Sequence, residues 1–250
     1  MNKEDYTALQ TLLEGHDRIA VFTGAGISTE SGIPDFRSPN GIWSKMTPID
    51  YQDFVSSADM RKEAWRRKMV IDKDMNQAAP NRGHRAVAKL VESGKCFCVI
   101  TQNIDGLHQV SGIPPEKIIE IHGNGTYAKC LDCGKHHELA PILAAFEHDE
   151  TLPVCDACGG IVKTATISFG QAMPETEMQR AEYAAQSCDL MLAIGSSLVV
   201  YPAAGFPIYA KRNGAKLVIV NREETEQDQI ADLVVHAEIG EALGAALNVA

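Results

Sequence analysis

Four cysteines stand in two pairs of identical spacing, Cys130/Cys133 and Cys155/Cys158. Two thiolates on a tight knuckle, doubled, close a tetrahedral zinc site, and a full set of sulfur ligands leaves no open position for water. The chemistry of this cluster is therefore structural rather than catalytic. His136 and His137 lie between the pairs and read as surface residues rather than ligands. Just upstream, His122 follows the apolar run Ile118-Ile119-Glu120-Ile121 and precedes Gly123. A histidine titrates near neutrality, so one at the end of a strand can take a proton from a hydroxyl. A lone histidine there is also a common structural feature.

Other polar clusters follow apolar runs in the same way. Gly24-Ala25-Gly26-Ile27-Ser28 comes after Arg18-Ile19-Ala20-Val21-Phe22 and Thr23. Two glycines after a buried strand let the backbone approach a pyrophosphate, with a helix N-terminus favouring its charge. The third glycine of the usual dinucleotide fingerprint is replaced by Thr29. Gly32-Ile33-Pro34-Asp35-Phe36-Arg37 places an arginine that can face phosphate beside a phenylalanine that can cover an aromatic base. Thr101-Gln102-Asn103-Ile104-Asp105 sets polar side chains suited to ribose hydroxyls or a carboxamide at the end of another apolar run. Gly195-Ser196-Ser197 and Asn221-Arg222-Glu223 each end a further one. The serines suit phosphate or ribose, and Asn221 suits the ribose of an adenosine. Each motif alone is weak, since turns and caps use the same residues.

The elements that must position these groups alternate. Helices are expected over residues 4–14, 81–92, 174–186, 202–212 and 239–247. Strands are expected over 18–22, 96–101, 118–121, 166–169, 190–194 and 216–220. Strands alternating with helices indicate an α/β fold with a doubly wound parallel, Rossmann-like sheet, which binds ligands beyond the carboxyl ends of its strands. The motifs fall at those ends. Residues 35–80 break the alternation and read as a loop with a helical flap, with one charged helix near 58–72. Residues 124–164 read as a small inserted zinc-binding module. The Rossmann-like domain then comprises 1–34, 81–123 and 165–250.

Bulk composition narrows the class. The chain has 250 residues, enough for one large α/β domain with a small insertion, and 45% of them are hydrophobic. No apolar run is long enough to span a bilayer, and the start shows no targeting pattern, so a cytoplasmic protein with no membrane partner is expected. Cys96, Cys98 and Cys188 read as buried thiols in a reducing compartment. The formal net charge of −10 argues against direct nucleic-acid binding and suits a cationic partner.

In this order, GAGIS, GIPDFR, TQNID, HG, the paired CxxC and GSS closely resemble the sirtuins, the NAD-dependent protein lysine deacylases of the silent-information-regulator family. The resemblance covers the chain from about Arg18 onward. It implies that Gly24, Ala25, Gly26, Ser28, Gln102, Gly195, Ser196, Ser197, Asn221, Arg222 and Glu223 hold the dinucleotide, with Ile239 bordering adenine. It implies that Asp35, Phe36 and Arg37 sit on a mobile loop over the nicotinamide and ribose. Asn103 would orient the nicotinamide ribose and a nearby water, Ile104 and Asp105 would line the nicotinamide pocket, and His122 would be the general base. One zinc ion would sit on Cys130, Cys133, Cys155 and Cys158. Ile167, Ser168, Phe169 and Gly170 would bind an acyl-lysine peptide. The implied reaction consumes NAD as a co-substrate. It moves the acyl group from lysine to ADP-ribose and releases nicotinamide and 2′-O-acyl-ADP-ribose.

Two departures from the family bear on the substrate. Over Lys163–Gln171 many members carry a basic-Pro-x-Val-Val pattern and a Glu after Phe-Gly. This chain lacks the proline and has Gln171 in place of the acid. Members that prefer anionic acyl groups carry a Tyr and an Arg three residues apart on the flap helix. The nearest match here is Trp65 and Lys68, which argues for neutral acyl groups over succinyl. Three other readings remain open on the sequence: an NAD glycohydrolase or ADP-ribosyltransferase on the same scaffold, a non-catalytic nucleotide-sensing module, and a dehydrogenase. The missing third glycine and the zinc insertion count against the last.

Overall fold

The structure, a computed structural model, describes residues 3–36, 41–44 and 46–250. In chain order its strands are β1 (Ile19–Thr23), β2 (Cys96–Thr101), β3 (Ile118–Glu120), β4 (Gly123–Cys130), β5 (His136–Glu138), β6 (Val162–Thr166), β7 (Leu190–Ile194), β8 (Lys216–Val220) and β9 (Leu233–Val235). Its helices are α1 (Lys3–Gly15), α2 (Tyr51–Ser56), α3 (Ala58–Met75), α4 (Arg82–Glu92), α5 (Leu107–Val110), α6 (Leu139–Asp149), α7 (Glu175–Ser187), α8 (Gly205–Arg212) and α9 (Ile239–Ala246).

Among the described residues, six strands form a parallel sheet in the order β3-β2-β1-β7-β8-β9. That is the order of dinucleotide-binding sheets, in which the chain runs outward from the centre one way and then the other. β1 and β7 are buried along their whole length. One apolar layer packs α1, α4 and α9 against Val21, Val99, Leu192 and Val218. The other packs α7 and α8 against Phe22, Ile100, Met191 and Ile219. Strands covered on both faces read as unbroken apolar runs, which is why they were legible.

α4 begins where Asn81 accepts hydrogen bonds from the amides of Gly83 and His84 at 2.9 and 3.2 Å, a side-chain N-cap. Asn81 Nδ2 also donates to the Ile27 carbonyl at 2.7 Å, so the same side chain ties the helix start to the glycine turn after β1.

A second sheet, β5-β4-β6, is antiparallel and carries the cysteine knuckles. This corrects the strand expected over 166–169. The strand there is β6, it lies earlier, and it pairs with β4 in the small sheet rather than joining the large one. Its alternating Lys and Thr residues pair at the module's edge. The residues after it leave the sheet, as Ile167 N donates to the His122 carbonyl at 2.8 Å. Six elements had no sequence expectation: β4, β5, β9, α2, α5 and α6. The helix expected from 202 begins at Gly205. Among the described residues, no helix is long and apolar enough to cross a membrane.

Candidate active site

The glycine motifs meet at the point where the sheet order reverses, between β1 and β7. Gly24 N donates to the Ile194 carbonyl at 3.0 Å and Gly26 N to the Gly195 carbonyl at 2.8 Å. A methyl group on Gly24 would come within 2.7 Å of the Gly195 oxygen, and one on Gly26 within 2.7 Å of the Gly195 Cα. Glycine is therefore dictated by backbone meeting backbone. The helix expected after this turn is a 3-10 segment, Ala25–Ser31, with Gly24 at its N-cap. Thr29, at the position of the absent third glycine, bonds its own segment through Oγ1 to the Gly26 carbonyl at 2.9 Å.

From this crossing a cavity of about 610 Å³ runs across the strand ends. It is lined by Gly24, Ala25, Gly26, Asp35 and Phe36, by Gln102, Asn103, Ile104 and His122, and by Gly195, Ser196, Ser197, Asn221, Arg222, Glu223 and Ile239. Its other end is walled by Ile167, Ser168, Phe169 and Gly170 and by one face of α3. The volume falls in the range of small-molecule and cofactor sites. Arg37 lies outside the described residues. Ser28, which is buried, and Asp105, which is half-buried, are not among the lining residues. Ser28 Oγ donates to Asp105 Oδ2 at 2.7 Å, and Asn103 Nδ2 donates to Ser28 Oγ at 3.2 Å and to the Gly24 carbonyl at 3.1 Å. Asn103 is buried, and this network fixes which way its amide faces.

Gln102 Nε2 donates to Ser196 Oγ at 2.9 Å, joining the ends of β2 and β7. The Gln102 carbonyl lies 3.1 Å from His122 Nδ1. A carbonyl can only accept, so Nδ1 carries the proton and Nε2 is the basic nitrogen of the ring. Arg222 and Asn221 are held by neighbours in the same wall: Arg222 pairs with Glu238 at 2.9 Å, and Asn221 Nδ2 donates to the Glu223 carbonyl at 2.7 Å.

Several lining residues carried no sequence signal. Trp43 joins Phe36 and Phe169 in an aromatic run, each pair of rings 5.4 Å apart between centroids. Val200, Tyr201 and Pro202 continue the wall after Ser197. Lys163 is buried; its ammonium donates to the Thr166 carbonyl at 2.6 Å, and burial pushes its pKa down to about 8. His108 is buried beside Thr23 Oγ1 at 2.9 Å, and burial pushes it down to about 3, so it is neutral at pH 7. Of the pair Trp65 and Lys68, only Lys68 lines the cavity. Trp65 is 2% exposed and packs with Phe146, Ala128 and Val162 of the zinc module. The α3 residues that face the cavity are Ala64, Arg67, Lys68, Ile71 and Met75.

In the module, the Sγ atoms of Cys130, Cys133, Cys155 and Cys158 lie within 4.8 Å of one another. Cys130 and Cys158 are 3.5 Å apart, and Cys133 and Cys155 are 3.7 Å apart. The edge of a tetrahedron with zinc–sulfur distances of about 2.3 Å is about 3.8 Å, so the cluster fits one structural zinc ion. His136 stacks on Tyr127 at 4.6 Å and is exposed. His137 is instead half-buried, with a ring nitrogen close to Cys155 Sγ, where it can orient a ligand rather than act as a bare surface residue.

A family model described as the Sir2 family matches residues 24–202. An NAD-dependent protein deacetylase of Rhodopseudomonas palustris is 59% identical over 226 residues, covering 90% of this chain and 89% of the relative. A protein of the same name from Thermodesulfovibrio yellowstonii is 45% identical, with 91% and 88% covered. A solved Sir2 structure with a p53 peptide and NAD+ superimposes with a TM-score of 0.86 at 36% identity, covering 99% of this chain and 98% of that one. One bound to a propionylated peptide gives 0.85 at 36% identity, covering 98% and 99%. With the family model matching residues 24–202 and a relative 59% identical over 90% of this chain, the protein belongs to the Sir2 family.

Proposed function

We propose that this chain is an NAD-dependent protein lysine deacylase that moves the acyl group of an acyl-lysine to ADP-ribose. The observation that carries the reading is the continuous cavity that joins a dinucleotide-binding crossing to the 167–170 segment, with His122 between them. NAD enters as a substrate. Gly24, Gly26 and Gly195, whose backbones meet at the crossing, line the part of the cavity that takes its pyrophosphate. Ser196, Ser197, Asn221, Arg222, Glu223 and Ile239 flank its adenosine half. Asp35, Phe36 and Arg37 belong to the loop over its nicotinamide half, and Ile104 and Asp105 to the nicotinamide pocket. Residues 35–80 form the flap, 124–164 the zinc module, and 1–34, 81–123 and 165–250 the dinucleotide domain.

His122 acts as the base. Its Nδ1–H donates to the Gln102 carbonyl, which leaves Nε2 to take a proton from a ribose hydroxyl. Asn103 orients the ribose from a buried, doubly donated amide. The peptide lies along Ile167–Gly170. Although Gln171 replaces the family's acid, its Oε1 accepts from Ser168 N at 3.1 Å, so the substituted side chain still shapes that segment. This supports the deacylase reading over a glycohydrolase lacking a peptide groove. The partner is an acyl-lysine protein or peptide, without direct contact to nucleic acid. A cytoplasmic location suits the thiols of Cys96, Cys98 and Cys188, all free and buried.

The test is mass spectrometry of the products from NAD and an acetyl-lysine peptide. The wild type is expected to yield nicotinamide and 2′-O-acetyl-ADP-ribose only when peptide is present. His122→Ala should lower turnover by roughly 10²–10⁴-fold, the usual worth of a positioned base. Peptide-independent release of ADP-ribose would refute the reading in favour of a glycohydrolase.

A further inference from the structure

The cavity wall contributed by α3 holds a charge that the reaction does not use. Lys68 lines the cavity, together with Ala64, Arg67, Ile71 and Met75, which recur on one helical face. One turn on, Asp72 forms an ion pair with the Lys68 ammonium, and the two side chains are 11% and 9% exposed. A dehydrated pair of this kind contributes little net stability compared with apolar residues of the same size. Its evident consequence is electrostatic. A lysine facing the cavity alone would offer a cation to whatever enters, and Asp72 cancels it from behind. The second cation on this face, Arg67, is also committed. Its Nε pairs with Glu63 at 2.6 Å and its Nη1 donates to the Thr47 carbonyl at 2.5 Å. The third cationic side chain at this end, Lys163, is turned onto main-chain carbonyls. Among the described residues, the rest of this end adds no charged side chain: Ile42, Met46, Ile49, Phe54 and Met173 are apolar, and the polar groups beside them, such as Ser168 and Gln171, are neutral.

We propose that Asp72 is a specificity-determining residue: by pairing with Lys68 it keeps the acyl end of the cavity neutral and closes it to acyl groups ending in a carboxylate. The inference rests on the deacylase reading above. An anionic acyl group entering this wall must either displace Asp72 from Lys68, leaving that buried carboxylate unpaired, or give up its own hydration beside a pair that offers it no free cation. A neutral acyl chain disturbs nothing. Asp72→Asn removes the negative charge while keeping the shape, and leaves the Lys68 ammonium seeking an anion.

The experiment measures kcat/KM for the same peptide carrying acetyl-lysine or succinyl-lysine, at saturating NAD, with a thermal melt for each variant. The wild type is expected to favour acetyl. Asp72→Asn should raise the succinyl-to-acetyl ratio by roughly tenfold to a hundredfold, the worth of one charged hydrogen bond. The double variant Asp72→Asn, Lys68→Met should lose that gain. A folded Asp72→Asn chain whose ratio is unchanged overturns the inference. So does a gain that persists in the double variant, which would assign the recognition to Arg67. Should Asp72→Asn fail to fold, Lys68→Arg reads the same quantity. A guanidinium can hold Asp72 with one edge and offer its other N–H groups to the cavity, so its ratio should also rise, and no rise overturns the inference. A wild-type enzyme that removes neither group would instead refute the deacylase reading, and this inference with it.

Discussion

Two side chains that do not line the cavity, Ser28 and Asp105, govern one that does, Asn103. Ser28 Oγ accepts from the Asn103 amide and donates its own hydrogen bond to Asp105. The amide oxygen of Asn103 is thereby set in one orientation, as a group that positions a ribose requires. Ser28→Ala removes both bonds while leaving Gly24 as a partner. It should lower kcat/KM for NAD by roughly 10- to 100-fold, as loss of a charge-assisted bond does, with a smaller change in KM for the peptide. Initial rates against each substrate separately check this; equal losses in both would mean general damage. His122, Asn103 and the glycines were legible in the sequence because each ends an apolar run at a strand's carboxyl edge. Trp65 and Lys68, three residues apart on α3, meet different surroundings for a physical reason. Three-residue spacing on a helix says that two residues share a side, but not which side meets a cavity. α3 packs on the zinc module through Trp65 and Met69 and faces the cavity through Lys68 and Ile71.

At the scale of elements, the buried strands could be read and the edges could not. β9 has three residues, two of them only half-buried, too short for a period to register. It is held by the residue before it. Asp232 accepts from the Leu217 amide at 2.8 Å, pairs with Lys211 at 2.5 Å and with Lys216 at 3.0 Å. Burial alone would raise this carboxyl, but the Lys211 ammonium, the Leu217 amide and the Lys216 ammonium outweigh it and pull the pKa down to about 2. A carboxyl with a lowered pKa in the fold stabilises above its unfolded value and loses that contribution as the pH falls through the folded value. Asp232→Asn should therefore cost about 2 kcal/mol at pH 7, measured by urea unfolding. The gap from wild type should narrow as the pH is taken from about 4 toward 2. A gap that stays constant across that window would show that packing, not charge, holds this edge. The strand matters to the site because Asn221 N donates to the Val235 carbonyl at 3.1 Å.

On the scale of the molecule, the metal and the acyl end of the cavity are joined by one helix. α3 presents Lys68, Ile71 and Met75 to the cavity, while Trp65 and Met69 pack among Phe146, Leu139 and Val162 of the zinc module. The module's apolar cluster also includes Cys130 and Cys155, two of the four ligands. A small unit with so short a core depends on its metal for most of its folding free energy. Removing zinc should then unseat Trp65 before the large sheet opens, because that sheet has two apolar layers of its own. In a Trp43→Phe background, chelation is expected to shift the Trp65 emission to the red. KM for an acyl-peptide should rise several-fold, while far-ultraviolet circular dichroism keeps most of its helical signal. NAD affinity should change less, since its strand-end contacts lie on the large sheet. If chelation left the Trp65 emission unmoved, α3 would be anchored by the flap itself, and the zinc module could not influence the acyl end of the cavity through this helix.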